Sequence, residues 1–489
     1  MFQKLKQLSV NLTVYGVGDV AIQLASVLLL PVYTLVLSPS EYGVIGVLLA
    51  LELVVRVVSR WGVDAAFMRF YTECADSRSR QLLASTLALF LAGVSGALLG
   101  AGIAASPWLS PALLGRTGYV IPTQLVFLNA LLGCFSFLPF HVLRLEGQAR
   151  AFVALTFSVN LSTLLTKFLL VVVVRWGVLG VFLADTIVAI GLILALLPRF
   201  AVLLRPVFSR DLLGECLRFG LPRLPHGIAH QITSSTDRYF LSLFRPSWEV
   251  GVYQIGATLA MGMKLFLSAF ETAWAPFYFK EMHERDARQT FRIVTTYGVA
   301  ALALLCSGLA AVAFDLVRLM TATQYVGASR VVPWLGLAVA IQGLYLLTSI
   351  GLNITKRTAY YPLATGAAAV TSVVLNLLLI PRFGILGAAW ASVAAYCVLA
   401  AVAFGFSQRF YRIDYEWGRI LRVIAAACLA WLAGRSVLPP TTAPVVGLLV
   451  RGMSVVAVFL GALAFMRFFH ERELRQIRRL WPVARLTKS

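Results

Sequence analysis

Ionisable side chains interrupt stretches of this chain that are otherwise apolar. Arg56, Arg60, Lys167, Arg223, Arg238, Lys264 and Arg451 form a basic set, and Asp19, Glu52, Asp64, Asp185, Asp237 and Glu271 an acidic one. Such groups are costly in an apolar medium and are usually kept where they face a cavity, a partner or a ligand. Their spacing is helical. Glu52, Arg56, Ser59 and Arg60 fall on one side of a helix, as do Arg223, His226, His230, Thr233, Ser234 and Asp237. Shorter stripes comprise Tyr15, Asp19, Gln23 and Ser26; Asn160, Thr163 and Lys167; and Lys264 with Ser268. Polar stripes on several helices are what a water-filled central cavity requires. The competing reading is buried ion pairs that fix helix packing, for example Glu52 with Arg56.

Guanidinium and ammonium groups in a low-dielectric cleft suit a phosphate or diphosphate, whose oxygens an arginine can bind in bidentate fashion. Arg56, Arg60, Arg223 and Lys264 are the deepest candidates, and Lys167, His226 and His230 complete the expected substrate-binding set. Arg238 and Arg451 lie nearer span ends, where they are expected to snorkel to the interface. Nearly as many acids as bases share these stretches, which tempers the anion argument. Asp19, Glu52 and Asp237 are candidates for a coupling ion, and Asp19 is equally able to pair with an arginine. His226 and His230 stand one turn apart, a spacing compatible with metal binding or proton exchange. No cysteine or carboxylate cluster completes a metal site, so polar lining is the favoured reading.

The elements that must position these residues are membrane spans. The chain has 489 residues, 60% hydrophobic and 13% charged, with mean hydropathy +0.84. A soluble domain is about 45–50% apolar and about 25% charged, so a water-soluble globule is excluded. A net charge of +21 would alone suggest a nucleic-acid binder, but the polar surface for that is lacking. About 20 apolar residues cross a bilayer as helix, and that ruler finds fourteen spans. They centre on 9–36, 43–64, 82–104, 119–140, 153–174, 178–197, 220–243, 252–275, 293–313, 331–352, 361–380, 385–406, 420–437 and 445–466. Most of the 42 Lys and Arg residues fall in alternate connections and the two ends, which places both termini in the cytoplasm. The opening MFQKLKQLSV reads as the flank of a retained first helix, without a convincing cleavage site.

An internal repeat organises the spans. Arg175-Trp-Gly-Val-Leu-Gly180 recurs 207 residues later as Arg382-Phe-Gly-Ile-Leu-Gly387, and Arg150 meets Arg357 at the same offset. Pro39-Ser-x-Tyr-Gly43 corresponds to Pro246-Ser-x-x-Val-Gly251, Arg56 to Lys264, and Phe70-Tyr71 to Phe277-Tyr278. Six helices per unit give both halves one orientation, the parallel-repeat arrangement with a site between the halves. The expected division is an N-terminal lobe over 1–197, a basic linker over 198–219, a C-terminal lobe over 220–406, two appended helices over 407–467 and a basic tail over 468–489.

No G-x-x-x-x-G-K-[ST], H-E-x-x-H or G-x-S-x-G occurs, and no large external loop is available for chemistry, so the expectation is a non-enzyme. The cysteines (Cys74, Cys134, Cys216, Cys306, Cys397 and Cys428) have no CxxC spacing and read as small apolar residues. Gly93, Gly96 and Gly100 form a small-residue face that predicts close helix packing.

Tyr15 through Pro31, Leu37-Ser-Pro-Ser-Glu-Tyr-Gly43, Arg60-Trp-Gly62 and Arg69 resemble the N-terminal half of polysaccharide-biosynthesis flippases. These are the O-antigen and exopolysaccharide translocases of the multidrug/oligosaccharidyl-lipid/polysaccharide exporter superfamily. Asp237-Arg238, Gly251-Val-Tyr253, Tyr325 with Ala328, and Asn376-Leu-Leu-Leu-Ile-Pro-Arg-Phe-Gly-Ile-Leu-Gly-Ala-Ala389 extend the resemblance through the second half. It implies an all-α polytopic membrane protein of about fourteen helices, two six-helix lobes around a central cavity plus two C-terminal helices. It further implies alternating-access movement of undecaprenyl-diphosphate-linked oligosaccharide to the outer leaflet of a bacterial inner membrane. Expected partners are the bilayer, that glycan and polysaccharide polymerase machinery, without nucleic acid. No cofactor is expected beyond a coupling proton or sodium ion. A cation-coupled multidrug exporter of the same architecture and a non-transporting scaffold for polysaccharide synthesis are the alternatives.

Overall fold

The structure is a computed structural model, described for residues 30–74, 76–200, 207–221, 224–439 and 442–469. Its described residues are helical throughout, with turns and no strand. The N-terminal lobe comprises α1 (Leu30–Val36), α2 (Pro39–Arg60), α3 (Val63–Glu73), α4 (Ser77–Leu114), α5 (Val120–Leu145), α6 (Ala149–Lys167) and α7 (Gly177–Phe200). A π-helical turn, Phe168–Val173, extends α6. Next comes α8 (Arg210–Gly220), and the C-terminal lobe follows as α9 (Leu224–Phe244), α10 (Ser247–Ala260), α11 (Gly262–Glu281), α12 (Ala287–Met320), α13 (Val332–Thr348), α14 (Ile350–Ile354), α15 (Tyr361–Phe383) and α16 (Ile385–Phe410). Two last helices, α17 (Trp417–Ser436) and α18 (Pro444–Phe465), pack on α12 through Ala311, Val423, Ala430, Val455 and Phe459.

Among the described residues, eleven stretches are long and apolar enough to cross a membrane, and the pair α10–α11, bent by 40°, makes a twelfth. The expected seventh span is α9, a 21-residue helix carrying Asp237 and Arg238. Most of the expected first span lies outside the described residues. Several helices outrun the apolar windows read from sequence. The third span is the 38-residue α4, about 57 Å at 1.5 Å per residue.

The repeat is visible in how the halves begin. Ser38 caps α2, accepting from the Glu41 amide while the Glu41 carboxylate accepts from the Ser38 amide, a reciprocal capping box. The N-terminal ends of α2 and α10 then cross so closely that a Cβ on Gly43 would lie 2.0 Å from the Ser247 carbonyl oxygen. A Cβ on Gly251 would lie 1.8 Å from that of Pro39. Only glycine fits either place. The second repeat motif is just as regular. Gly177 (φ +53°) starts α7 against the Glu41 carboxylate, and Gly384 (φ +58°) starts α16 against Arg245 and Glu249. In each half, one carboxylate from the first turn of the crossing helix seats a positive-φ glycine, a conformation glycine adopts freely.

Three expectations change. Described residues of the basic linker form α8, which packs on α3 and α4 with Cys216 fully buried among Phe67, Leu83 and Leu87. Gly93, Gly96 and Gly100 face nothing within 4 Å among the described residues, so this face of α4 packs on no described helix. Arg451 does not snorkel. It is 5% exposed, 3.4 Å from the fully buried Asp315, and donates to the Leu438 and Pro439 carbonyls. That pairing joins α18 to α12.

Candidate functional site

The polar stripes assemble into two clusters, one in each lobe. In the N-terminal lobe, Glu52 and Arg56 pair along α2, where the Arg56 side chain is 43% exposed and Glu52 is buried. One turn on, Arg60 Nη1 reaches Asp64 Oδ2 at 2.9 Å. Lys167 Nζ, at the end of α6, lies 2.9 Å from Asp185 Oδ1 on α7, and both groups are within electrostatic reach of Glu52. The Nε atoms of Arg56 and Arg60 are buried without a hydrogen-bond partner. The exposed part of each side chain, 43% for Arg56 and 34% for Arg60, is what leaves guanidinium N–H groups open to an anion.

The C-terminal cluster is built from α9 and α10. Asp237 accepts from the Tyr253 hydroxyl at 2.5 Å and from the Arg238 amide at 2.8 Å. Arg238 donates through Nε to Gln254 Oε1 at 2.6 Å and through Nη1 to the Ser234 carbonyl at 3.0 Å. Arg238 is thus buried in a satisfied network rather than snorkelling from a span end. Beside it, a cavity of about 60 Å³ is lined by Ser234, Asp237, Arg238, Lys264, Ser392 and Tyr396, among others. Lys264 makes no ion pair among the described residues. The break between α10 and α11 puts it in the first turn of α11, where a cation opposes the helix dipole and a bound anion would relieve that opposition.

The structure brings Glu52, Arg56 and Lys167 together, and separately Asp237 and Lys264. Arg60 pairs with Asp64 instead. The two clusters share a seam: the cytoplasmic half of α2, by the expected orientation, packs on α9, with Val57 against Gly227. Asp19, Arg223 and the His226 side chain lie outside the described residues, while His230 is exposed on α9. No group of three His, Cys, Asp or Glu residues among the described residues could hold a metal.

At the other end of the seam the halves are locked. Beyond the Gly43–Gly251 crossing, the Tyr325 hydroxyl donates to the Leu37 carbonyl at 2.8 Å, and the Ala322 amide donates to Thr34 Oγ1. Tyr325 comes from a 3₁₀ turn, Thr323–Arg330. The sequence pattern assigns this end to the outside.

One feature escaped sequence reasoning. A cavity of about 250 Å³ is lined by Glu271, Trp274, Tyr278, Tyr345, Asn353 and Tyr361, with smaller contributions from neighbours. Glu271 was visible as an intramembrane carboxylate, and its spacing to Trp274 and Tyr278 is helical. The other lining aromatics, Tyr345 and Tyr361, come from other helices, so no local pattern reveals the cavity.

A family model described as "Polysaccharide biosynthesis protein" matches residues 8–283, more than half of the chain. The chain belongs to that family. Comparison with curated proteins returns no match. Among solved structures, the family member is similar to "Lipid II flippase MurJ, inward closed conformation", with TM-score 0.68 and 13% identity over 94% of this chain and 98% of that one. A second is an inward-facing multidrug resistance MATE family transporter of the MOP superfamily, with TM-score 0.62 and 15% identity over 82% of this chain and 95% of that one. The fold is therefore that of MOP-superfamily transporters, a multi-pass all-α membrane protein.

Proposed function

We propose that the protein is a flippase that moves an undecaprenyl-diphosphate-linked oligosaccharide from the cytoplasmic to the outer leaflet of a bacterial inner membrane. It does so by alternating access, with both termini cytoplasmic, and serves O-antigen or exopolysaccharide synthesis beside a polymerase. The observation that carries this reading is the pair of cations at matching repeat positions: Arg56, 43% exposed beside Glu52, and Lys264, without an ion pair among the described residues. The diphosphate would sit among Arg56, Arg60, Arg223 and Lys264, with Lys167, His226 and His230 lining its approach. The glycan occupies the hydrated space between the lobes and the polyprenyl tail stays in lipid. Family membership and the likeness to a lipid II flippase support the same substrate class. Glu52 and Asp237 are the described candidates for a coupling proton or sodium ion, and Asp19 is the third.

The test is flipping of a fluorescent undecaprenyl-diphosphate oligosaccharide in proteoliposomes. Lys264→Gln and Arg56→Gln should each slow it at least about tenfold, a loss of ~1.4 kcal/mol, and Lys264→Arg should restore much of the rate. Wild-type rates in both glutamine variants would sink the site. Expulsion of organic cations without any glycolipid flipping would instead identify a multidrug exporter.

A further inference from the structure

The 250 Å³ cavity lies within the C-terminal lobe, and its chemistry differs from that of the diphosphate site. Its walls are aromatic. Trp274 is held by Phe270 and Phe277 in stacked contact at 5.4 and 5.6 Å, and by Tyr278 edge-on at 5.9 Å. Tyr345 and Tyr361 meet edge to face at 6.3 Å. Some polar groups are already spent on this frame: Asn353 Nδ2 donates to the Tyr278 hydroxyl at 3.1 Å, and the Tyr361 hydroxyl donates to the Ser349 carbonyl at 3.2 Å. Two are not. The Trp274 ring is 3% exposed, and its Nε1 donor has no hydrogen-bond partner. Glu271 lines the same cavity without an ion pair among the described residues.

A buried donor left unpaired costs about 1–3 kcal/mol, so Trp274 lacks an acceptor, while the exposed Glu271 carboxylate is open to a donor from a ligand. Water could meet either need, but the aromatic walls would gain nothing from it. An inorganic cation would use Glu271 alone and leave the N–H unmet. An organic cation would use the carboxylate and the ring faces and leave the N–H unmet as well. A sugar ring answers all three features. One hydroxyl donates to Glu271, another accepts from Trp274 Nε1, and a C–H face rests on an aromatic ring. The size agrees: drug-sized sites run to about 300–1,000 Å³, and this smaller space suits one sugar unit rather than an oligosaccharide.

We infer that this cavity is a monosaccharide subsite that grips one sugar unit of the glycan. The inference rests on the flippase reading for its biological role and deepens it. The subsite lies where α11, α13 and α14 approach the connections at 282–286 and 355–357, which the charge pattern assigns to the cytoplasm. A sugar held there would engage the substrate on its loading side. A hydroxyl-reading site also discriminates strongly, because analogues lacking the hydroxyl leave its polar groups unpaired.

The test uses the full-length protein in lipid nanodiscs and saturation-transfer NMR with glucose, galactose and N-acetylglucosamine as probes. Tetraphenylphosphonium serves as the organic-cation comparison. At least one sugar should show transfer to its ring C–H protons. Trp274→Phe, which keeps the ring and removes the donor, should weaken that binding about tenfold, as should Glu271→Gln. Flipping of the labelled glycolipid should slow in both variants, while pyrophosphate inhibition of flipping stays at its wild-type value. Absence of sugar transfer, or sugar binding indifferent to both variants, overturns the subsite, as does Glu271-dependent binding of tetraphenylphosphonium alone. A wild-type protein that binds sugar at this cavity but flips no glycolipid would instead overturn the flippase reading and leave the subsite standing.

Discussion

The second helix of each half carries a cation at the same repeat position, yet the two cations keep different company. Arg56 sits on the unbroken α2, one turn after Glu52, and the two are paired. Lys264 sits just past a 40° bend, one turn after Ala260, so the neutralising partner of the first half is missing from the second. Other positions differ in the same sense. Asp185, which pairs with Lys167, corresponds to Ser392, which lines the small cavity beside Lys264. The buried acid and base of the second half, Asp237 and Arg238, are satisfied by Tyr253, Gln254 and backbone. Duplication thus preserved the frame, namely the glycine crossing and the seated glycines, and let the chemistry diverge. One half holds its charges in partly exposed pairs. The other spends Asp237 and Arg238 in a closed network and leaves Lys264 and Glu271 without an ion pair among the described residues.

The frame is where the largest effects are expected. A Cβ at Gly43 or Gly251 would overlap a backbone carbonyl of the other lobe, and backbone cannot swing aside as a side chain can. Gly43→Ala and Gly251→Ala should each cost about 3 kcal/mol or more, the upper end of overpacking penalties, read as a fall in the thermal unfolding midpoint of purified protein. Gly96→Ala is the control, since nothing lies within 4 Å of its Cβ position, and it should stay within about 0.5 kcal/mol of wild type. Tolerance of one seam substitution but not the other would show that the crossing is not shared equally by the two halves.

Next in size is the missing partner. Ala260→Glu places a carboxylate one turn before Lys264, the arrangement that Glu52 and Arg56 already show. Glycolipid flipping should fall about tenfold, equivalent to ~1.4 kcal/mol of lost anion binding. Ala260→Gln introduces similar bulk without charge and separates electrostatics from crowding at this buried position. Equal losses in the two variants would mean that Lys264 is not the anion's contact.

The frame was largely legible in the sequence because its signals are local or periodic. Apolar windows locate the spans, and the recurrence of Arg175–Gly180 at Arg382–Gly387 locates the halves. Helical spacing also placed Glu52 beside Arg56. What could not be read was pairing between helices distant in the chain. Arg451 looked free to reach the interface, but Asp315, 136 residues earlier, meets it in the interior. Lys167 likewise meets Asp185 only when two helices pack. The face of Gly96 and Gly100 had the spacing for close packing, and no described residue comes within 4 Å of it. The aromatic cavity was hidden for the same reason, since Trp274, Tyr345 and Tyr361 converge only when three helices pack.

The smallest effect is the most discriminating for the comparison. Glu52→Gln removes the charge that accompanies Arg56 while retaining a hydrogen-bonding side chain of the same shape. Arg56 is 43% exposed, and exposed i,i+4 pairs contribute less than about 1 kcal/mol. The buried carboxylate also costs desolvation that the amide does not. Stability should therefore change by less than about 1 kcal/mol. An uncompensated Arg56 should strengthen inhibition of flipping by free pyrophosphate about two- to threefold, making the first half behave more like the second. A loss of several kcal/mol with unchanged pyrophosphate inhibition would place Glu52–Arg56 among the packing pairs. Anion binding would then rest on Lys264 and Arg60 among the described cations.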